Sequence, residues 1–124
     1  MQLELMKSKI HRARLTHCDI DYEGSLEIDP CYLEEVGMFP YEKILVVNAT
    51  NGNRLETYAI PGDRGSGVFR LNGAAAHCGR IGDIITVMSF IHCTAAEAPG
   101  IEPKIIVLDE SNRIVSRRIG KKEL

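Results

Sequence analysis

The chain has 124 residues, 44% of them hydrophobic, and a formal net charge of −2 from 15 basic and 17 acidic side chains. That length suits one domain, residues 1–124, burying roughly two-thirds of the surface its unfolded form exposes. Charges of both signs are interspersed, which leaves no single-sign field to hold a nucleic acid, and no apolar run reaches membrane-spanning length. The opening Met1-Gln2-Leu3-Glu4-Leu5-Met6-Lys7 has neither the basic-then-apolar pattern of a secretory leader nor that of an Arg-rich presequence. The expectation is a cytoplasmic protein with no nucleic-acid and no membrane partner.

Residues 8–17 alternate as a strand does, which would put Lys9, His11, Ala13 and Leu15 on one face. Tyr22-Glu23-Gly24-Ser25 follows and admits two readings. Gly-Ser is an ordinary turn dipeptide. Gly24, with no Cβ, also tolerates a strained turn that brings the Ser25 hydroxyl against the preceding carbonyl. Attack there would give an ester, and β-elimination would free residues 1–24 and leave a dehydroalanine at position 25 of the remaining 25–124. Hydrolysis with loss of ammonia then yields a pyruvoyl group, a ketone that condenses with a substrate amine and drains electrons as no ordinary side chain can.

Asp29-Pro30 reads as an N-cap with proline at the first helical position, and Gly37 closes a short helix over Cys31–Val36. Residues 43–50 and 54–60 flank Asn51-Gly52, a strong hairpin signal. Gly67 to Leu71 makes another strand, and Asn72 is placed to cap a short turn through Ala74 to His77. Residues 83–94 form a nearly continuous apolar run, expected for a central strand buried on both sides. Residues 104–108 and 113–117 pair as a last hairpin around Asp109-Glu110-Ser111-Asn112, leaving 120–124 as a frayed tail. Seven or so strands with two brief helices make a mainly β domain, and closure into a small barrel would remove the sheet edges. Residues 28–47 and 71–87 each run through a short helix and a glycine into an apolar strand, a faint echo suggesting a pseudo-twofold.

The four cysteines, Cys18, Cys31, Cys78 and Cys93, are expected reduced. His77-Cys78 and His92-Cys93 lack the spacing of a tetrahedral metal set, so no metal is expected and His77 is read as structural.

Four motifs occur together in order: Ser8-Lys9-Ile10-His11-Arg12-Ala13, Tyr22-Glu23-Gly24-Ser25 with Ile28-Asp29, Thr50-Asn51-Gly52-Asn53-Arg54 running into Thr57-Tyr58-Ala59-Ile60, and Asn72-Gly73-Ala74-Ala75-Ala76-His77 before Gly82-Asp83-Ile84. Together they closely resemble the bacterial aspartate 1-decarboxylases over residues 6–91, with only slight likeness beyond residue 100. The resemblance implies a double-psi β-barrel, a homotetramer with active sites where subunits meet, self-cleavage between Gly24 and Ser25, and decarboxylation of L-aspartate to β-alanine for pantothenate and coenzyme A synthesis. It implies a pyruvoyl cofactor made from Ser25, a cleavage role for Thr57 beside Gly24 and Asn72, and proton return to the substrate carbon by Tyr58. Lys9, His11 and Arg54 would lie near the substrate, with Thr57, Gly73, Ala74 and Ala75 lining its site. An accessory maturation protein is a further partner to be considered. Cys18, Pro30 and Pro61 depart from common family residues without touching these positions.

The residue types suit that chemistry on their own terms. An aspartate site needs a fork-shaped guanidinium for one carboxylate, a role for Arg54, and a clamp on the departing carboxylate would retard its loss. Arg54 is therefore assigned to the carboxylate that stays. Tyrosine is ordinarily protonated at neutral pH, as a donor to carbon must be. Two other readings stand beside this one: a non-enzymatic barrel acting as a binding module, and a pyruvoyl decarboxylase for another amino acid such as histidine or arginine.

Overall fold

A computed structural model describes all residues from Met1 to Leu124. Its strands are β1 (Gln2–Arg14), β2 (His17–Asp19), β3 (Ser25–Ile28), β4 (Lys43–Asn48), β5 (Arg54–Pro61), β6 (Phe69–Asn72), β7 (Ile84–Thr94), β8 (Lys104–Leu108), β9 (Ile114–Ile119) and β10 (Lys122–Glu123). One α-helix, α1 (Pro30–Val36), and two 3₁₀ turns, Gly73–Cys78 and Ala98–Gly100, complete the chain. The strands form one sheet in the order β10-β9-β8-β1-β7-β4-β5-β3-β6-β2. Since β2 continues β1 after a two-residue break, the run from β1 to β2 returns to the same stretch of chain. Thr16 seals the join: its backbone N–H and hydroxyl donate to the Phe69 carbonyl, and its hydroxyl accepts from the Phe69 N–H. The result is barrel-like and mainly β, and its centre is filled by a single cluster that includes Ile10, Leu26, Ile44, Val46, Phe69, Leu71, Ile85 and Val87.

The internal echo has a structural counterpart. The units β3-α1-β4 and β6-turn-β7 pair strand for strand, β3 antiparallel to β6 and β4 antiparallel to β7. Antiparallel pairing of like elements is what a twofold would produce.

Local signals placed α1 well. The Asp29 carboxylate accepts from the Cys31 N–H at 2.9 Å, and Gly37 ends the helix in the left-handed region at φ 72°. Asp29 does more than cap, because its two oxygens also accept from the Gly65 and Gly67 N–H groups at 3.1 and 2.8 Å. Burial pushes its carboxyl up, but these backbone donors outweigh burial and hold it below the ordinary 3.8. A carboxylate held down in the folded state adds stability that is complete above the unfolded pKa and vanishes as pH falls through the folded one. Asp29→Asn is therefore expected to lose about 2 kcal/mol at neutral pH. Urea titrations should show its gap to the parent closing below about pH 4.

Four expectations need correction. Residues 8–17 do not alternate without a break: β1 begins at Gln2 and shifts register between Ile10 and Ala13, with Arg12 at φ 63°. This bulge reverses the inward side, so Ala13 and Leu15 join Ser8 and Ile10 in burial while Lys9 and His11 stay on the outer face. The run 84–94 is central, between β1 and β4, but Phe90, Ile91 and His92 are exposed on its far half. The tail is paired, Lys122 against Ile119 and Glu123 against Arg118. The fourth concerns Asn72 and is set out with the site below.

All four cysteines are free, and no group of three or more His, Cys, Asp or Glu side chains is arranged to hold a metal ion. No helix is long and apolar enough to cross a membrane.

Candidate active site

Strand β6 lies between β2, which runs parallel to it, and β3, which runs antiparallel. Asp19 and Ser25 both pair with Asn72, on opposite sides of it. Residues 20–24 must therefore arch over the end of β6, spanning two strand separations or about 10 Å. The arch rests on Gly73, whose φ is +63°. A Cβ at Gly73 would come within 2.8 Å of the Gly24 Cα and N and 2.9 Å of the Tyr22 carbonyl oxygen, so the left-handed conformation and the closeness of the arch each call for glycine.

Beneath the arch the Asn72 Nδ2 donates to the Ser25 Oγ at 3.2 Å, with both residues buried. Asn72 does not use its side chain to cap the Gly73–Cys78 turn, as its position before the turn suggested. The β3–β6 register turns it toward Ser25 instead. Its Oδ1 is buried without a hydrogen-bond partner. A buried acceptor left unpaired costs about 1–3 kcal/mol, and such groups collect at sites of chemistry. Gly24 itself is exposed, so the Gly24–Ser25 bond passes from solvent to interior.

The parallel pairing of β3 with β5 sets Leu26 against Ala59. Taken one residue further back, that register sets Tyr58 beside Ser25, and Thr57 precedes it on β5; both are half-buried. The Tyr58 ring stacks on Tyr41 at 6.2 Å between centroids. Ala74 is exposed and Ala75 half-buried in the turn that follows Gly73.

Lys9, His11 and Arg54 form a separate group on the outer face of the sheet. Arg54 pairs with Val47, Val47 with Thr86, and the Thr86 hydroxyl lies 3.1 Å from the His11 Nδ1. Burial lowers the pKa of His11, and the neighbouring cations Lys9, Arg12 and Arg118 lower it further, which favours the neutral imidazole. Three strands, β7, β4 and β5, separate β1 from β3 in the sheet. One chain thus brings Gly24, Ser25, Asn72 and Gly73 together with Tyr58 and Thr57 on the adjoining strand β5, and holds Lys9, His11 and Arg54 apart from them along a row that crosses β1, β7, β4 and β5.

The sequence model of the aspartate decarboxylase family matches residues 1–115. The chain belongs to that family. Aspartate 1-decarboxylases from Chlorobium phaeovibrioides and Listeria monocytogenes are 48% and 53% identical to it, covering 99% and 89% of this chain and 97% and 87% of their own lengths. The one from Maricaulis maris is 45% identical over 94% of this chain and 97% of its own. Membership places the chain among the decarboxylating lyases. The family match also runs past the 6–91 stretch that carried the motifs, as far as the start of β9.

In this aspartate decarboxylase family member, Thr86 escaped notice in the sequence. The only signal was a polar residue within an apolar run, and its place beside His11 depends on β1 and β7 pairing across some 75 residues of separation. Asn112 looked like an ordinary loop residue. Yet its side chain accepts from the Arg14 N–H at 2.7 Å and donates to the Arg14 and Gly67 carbonyls, and its own carbonyl accepts from the Tyr32 hydroxyl at 2.6 Å. Burial, with the Asp29 carboxylate nearby, pushes that hydroxyl to about 12. These bonds tie the last hairpin to α1 and to the end of β1, and so fix the outer face that carries His11.

Proposed function

We propose that the chain cuts its own backbone between Gly24 and Ser25 and then decarboxylates L-aspartate to β-alanine. The observation that carries this reading is the buried Ser25 hydroxyl held by Asn72 under an arch resting on Gly73. In the first step the Ser25 Oγ attacks the Gly24 carbonyl carbon, the C–N bond breaks, and the Ser25 nitrogen keeps its electrons and takes up a proton. Loss of the Ser25 Cα proton then expels the Gly24 carboxylate, and one water replaces nitrogen as ammonia is released, leaving residues 25–124 with a pyruvoyl terminus. Thr57, on the adjoining strand, is assigned to assist the attack; Asn72 orients the hydroxyl.

The residues around position 25 suit a ketone. Once the Ser25 Oγ has left with Gly24, the Asn72 Nδ2 is a buried donor free to meet a new acceptor, and withdrawal of residues 20–24 would open Gly73, Ala74 and Ala75 to a ligand approaching backbone. Such a ketone supplies the electron sink for the carbon that loses carbon dioxide. Tyr58, level with position 25, returns the proton to that carbon, and Arg54 holds the carboxylate that remains. Because Lys9, His11 and Arg54 all stand apart from Ser25 on their own chain, a neighbouring copy is assigned to deliver them, in keeping with a homotetramer on a double-psi barrel. The parallel pairs β2·β6 and β3·β5 among antiparallel neighbours support that barrel type. Pantothenate and coenzyme A synthesis, a cytoplasmic location and an accessory maturation protein belong to the same reading.

Denaturing mass spectrometry tests it. Incubated protein should resolve into fragments 1–24 and 25–124, the second lighter by one ammonia than plain hydrolysis would leave. Incubation with aspartate should accumulate β-alanine, with histidine and arginine giving no amine. An intact chain after prolonged warming would favour the binding-module reading.

A further inference from the structure

We infer that Arg70 is a positioning residue for self-cleavage, one guanidinium holding both sides of the Gly24–Ser25 bond. The inference rests on the self-cleavage reading above and adds to it a residue that no motif marked.

Arg70 sits mid-way along β6, paired with His17 of β2 on one side and Glu27 of β3 on the other. The two arms of the arch descend along those strands. On the amino side of the bond, the Arg70 Nη1 lies 3.9 Å from the Asp19 carboxylate, and its guanidinium carbon is 5.4 Å from the Tyr22 ring centroid. On the carboxyl side, its Nε lies 3.6 Å from the Glu27 carboxylate. That Nε is buried without a hydrogen-bond partner, so the guanidinium meets both carboxylates as ion pairs rather than through hydrogen bonds. A planar guanidinium can stack on a ring while its edge faces carboxylates, which a lysine ammonium cannot do.

The arch has few other tethers. Residues 20–24 are exposed, and Tyr22 is 56% exposed despite its contact with Arg70. The Asp21 N–H donates to Asp19 at 3.0 Å, which shapes the turn without fastening it to the barrel. Gly73 supports the arch from below but does not hold it down. Ion pairs this accessible contribute little to global stability. Their effect is local: with Tyr22 free to lift, the Gly24 peptide plane turns so that its carbonyl carbon no longer faces the Ser25 Oγ, and a misplacement near 1 Å can cost about a hundredfold in rate. From the sequence, Arg70 between Phe69 and Leu71 reads as an outward residue of an alternating strand, so its task became visible only when the arch was in place.

The test follows appearance of fragment 25–124 by mass spectrometry in freshly purified full-length chains, with folding checked by circular dichroism. Arg70→Gln is expected to slow cleavage by at least about tenfold, and Arg70→Lys to recover part of that loss through charge alone. Tyr22→Phe keeps the ring and should match the parent, whereas Tyr22→Leu should be slowed. The double variant Arg70→Gln/Tyr22→Leu should be no slower than Arg70→Gln, since both changes break the same tether. A folded Arg70→Gln chain that cleaves at the parent rate overturns the inference and leaves self-cleavage standing. Should Arg70→Gln fail to fold, equal rates for Tyr22→Phe and Tyr22→Leu overturn it just as well. A parent chain that never cleaves removes both the inference and the reading beneath it.

Discussion

Ser25→Ala is expected to leave every chain intact and to reduce β-alanine formation roughly 10⁴-fold or more, the scale on which loss of a reacting nucleophile acts. The substitution removes one oxygen and nothing else. Ser25 is buried and its Oγ is the acceptor for the Asn72 Nδ2, so the variant leaves a buried amide without that partner, at a cost of about 1–3 kcal/mol. Leu26 and Ile28, which anchor β3 in the core, are untouched. The variant should therefore fold, with a lowered Tm and an unchanged circular dichroism spectrum. Folded yet inert is the signature that separates a chemical role from a structural one. Fragments ending at Gly24 in Ser25→Ala would point to an outside protease, and undiminished turnover would remove position 25 from the chemistry.

Much of the architecture was legible wherever the signal was local. Asp29-Pro30 and Gly37 bracketed α1, and Asn51-Gly52 marked the β4–β5 hairpin, because caps and tight turns are decided by a few neighbouring residues. Features decided by distant pairing were not legible. The bulge at Arg12 reverses the sidedness of β1 halfway along, so simple alternation put Lys9 and His11 with Ala13 and Leu15, which in fact point into the core. Asn72 shows the same limit at the site. By local rules it should cap the turn it precedes, but its register against Ser25 overrides the local preference. The candidate residues were named by motif; that they divide into two groups follows from sheet order, which no motif records. The row through Arg54, Val47, Thr86 and His11 exists only once β5, β4, β7 and β1 are laid side by side.

Gly73→Ala should be the most damaging single methyl in the molecule, and Gly37→Ala gives the scale for it. Both glycines have positive φ, +63° and +72°. An alanine at either must occupy the left-handed region, at about 1–2 kcal/mol. At Gly37 nothing lies within 4 Å of the added carbon, so that conformational term is the whole cost. At Gly73 the added carbon meets the Gly24 Cα and N at 2.8 Å and the Tyr22 carbonyl oxygen at 2.9 Å, all backbone atoms with no rotamer to escape into. Either the arch rises or β6 shifts, and overpacking of this kind adds about 1–3 kcal/mol. For a domain near this size each kcal/mol lowers Tm by about 4 °C, so Gly37→Ala should lose about 4–8 °C and Gly73→Ala about 8–20 °C at matched protein concentration. The two variants should differ more sharply in self-cleavage. A raised arch turns the Gly24 carbonyl out of line with the Ser25 Oγ, so Gly73→Ala is expected to cleave at least about a hundredfold more slowly, while Gly37→Ala, at the far end of α1, keeps the parent rate. Equal Tm losses with equal cleavage rates would mean that the arch does not rest on Gly73. A Gly73→Ala chain that is destabilised but cleaves normally would mean that the contact supports the fold without setting the geometry of attack.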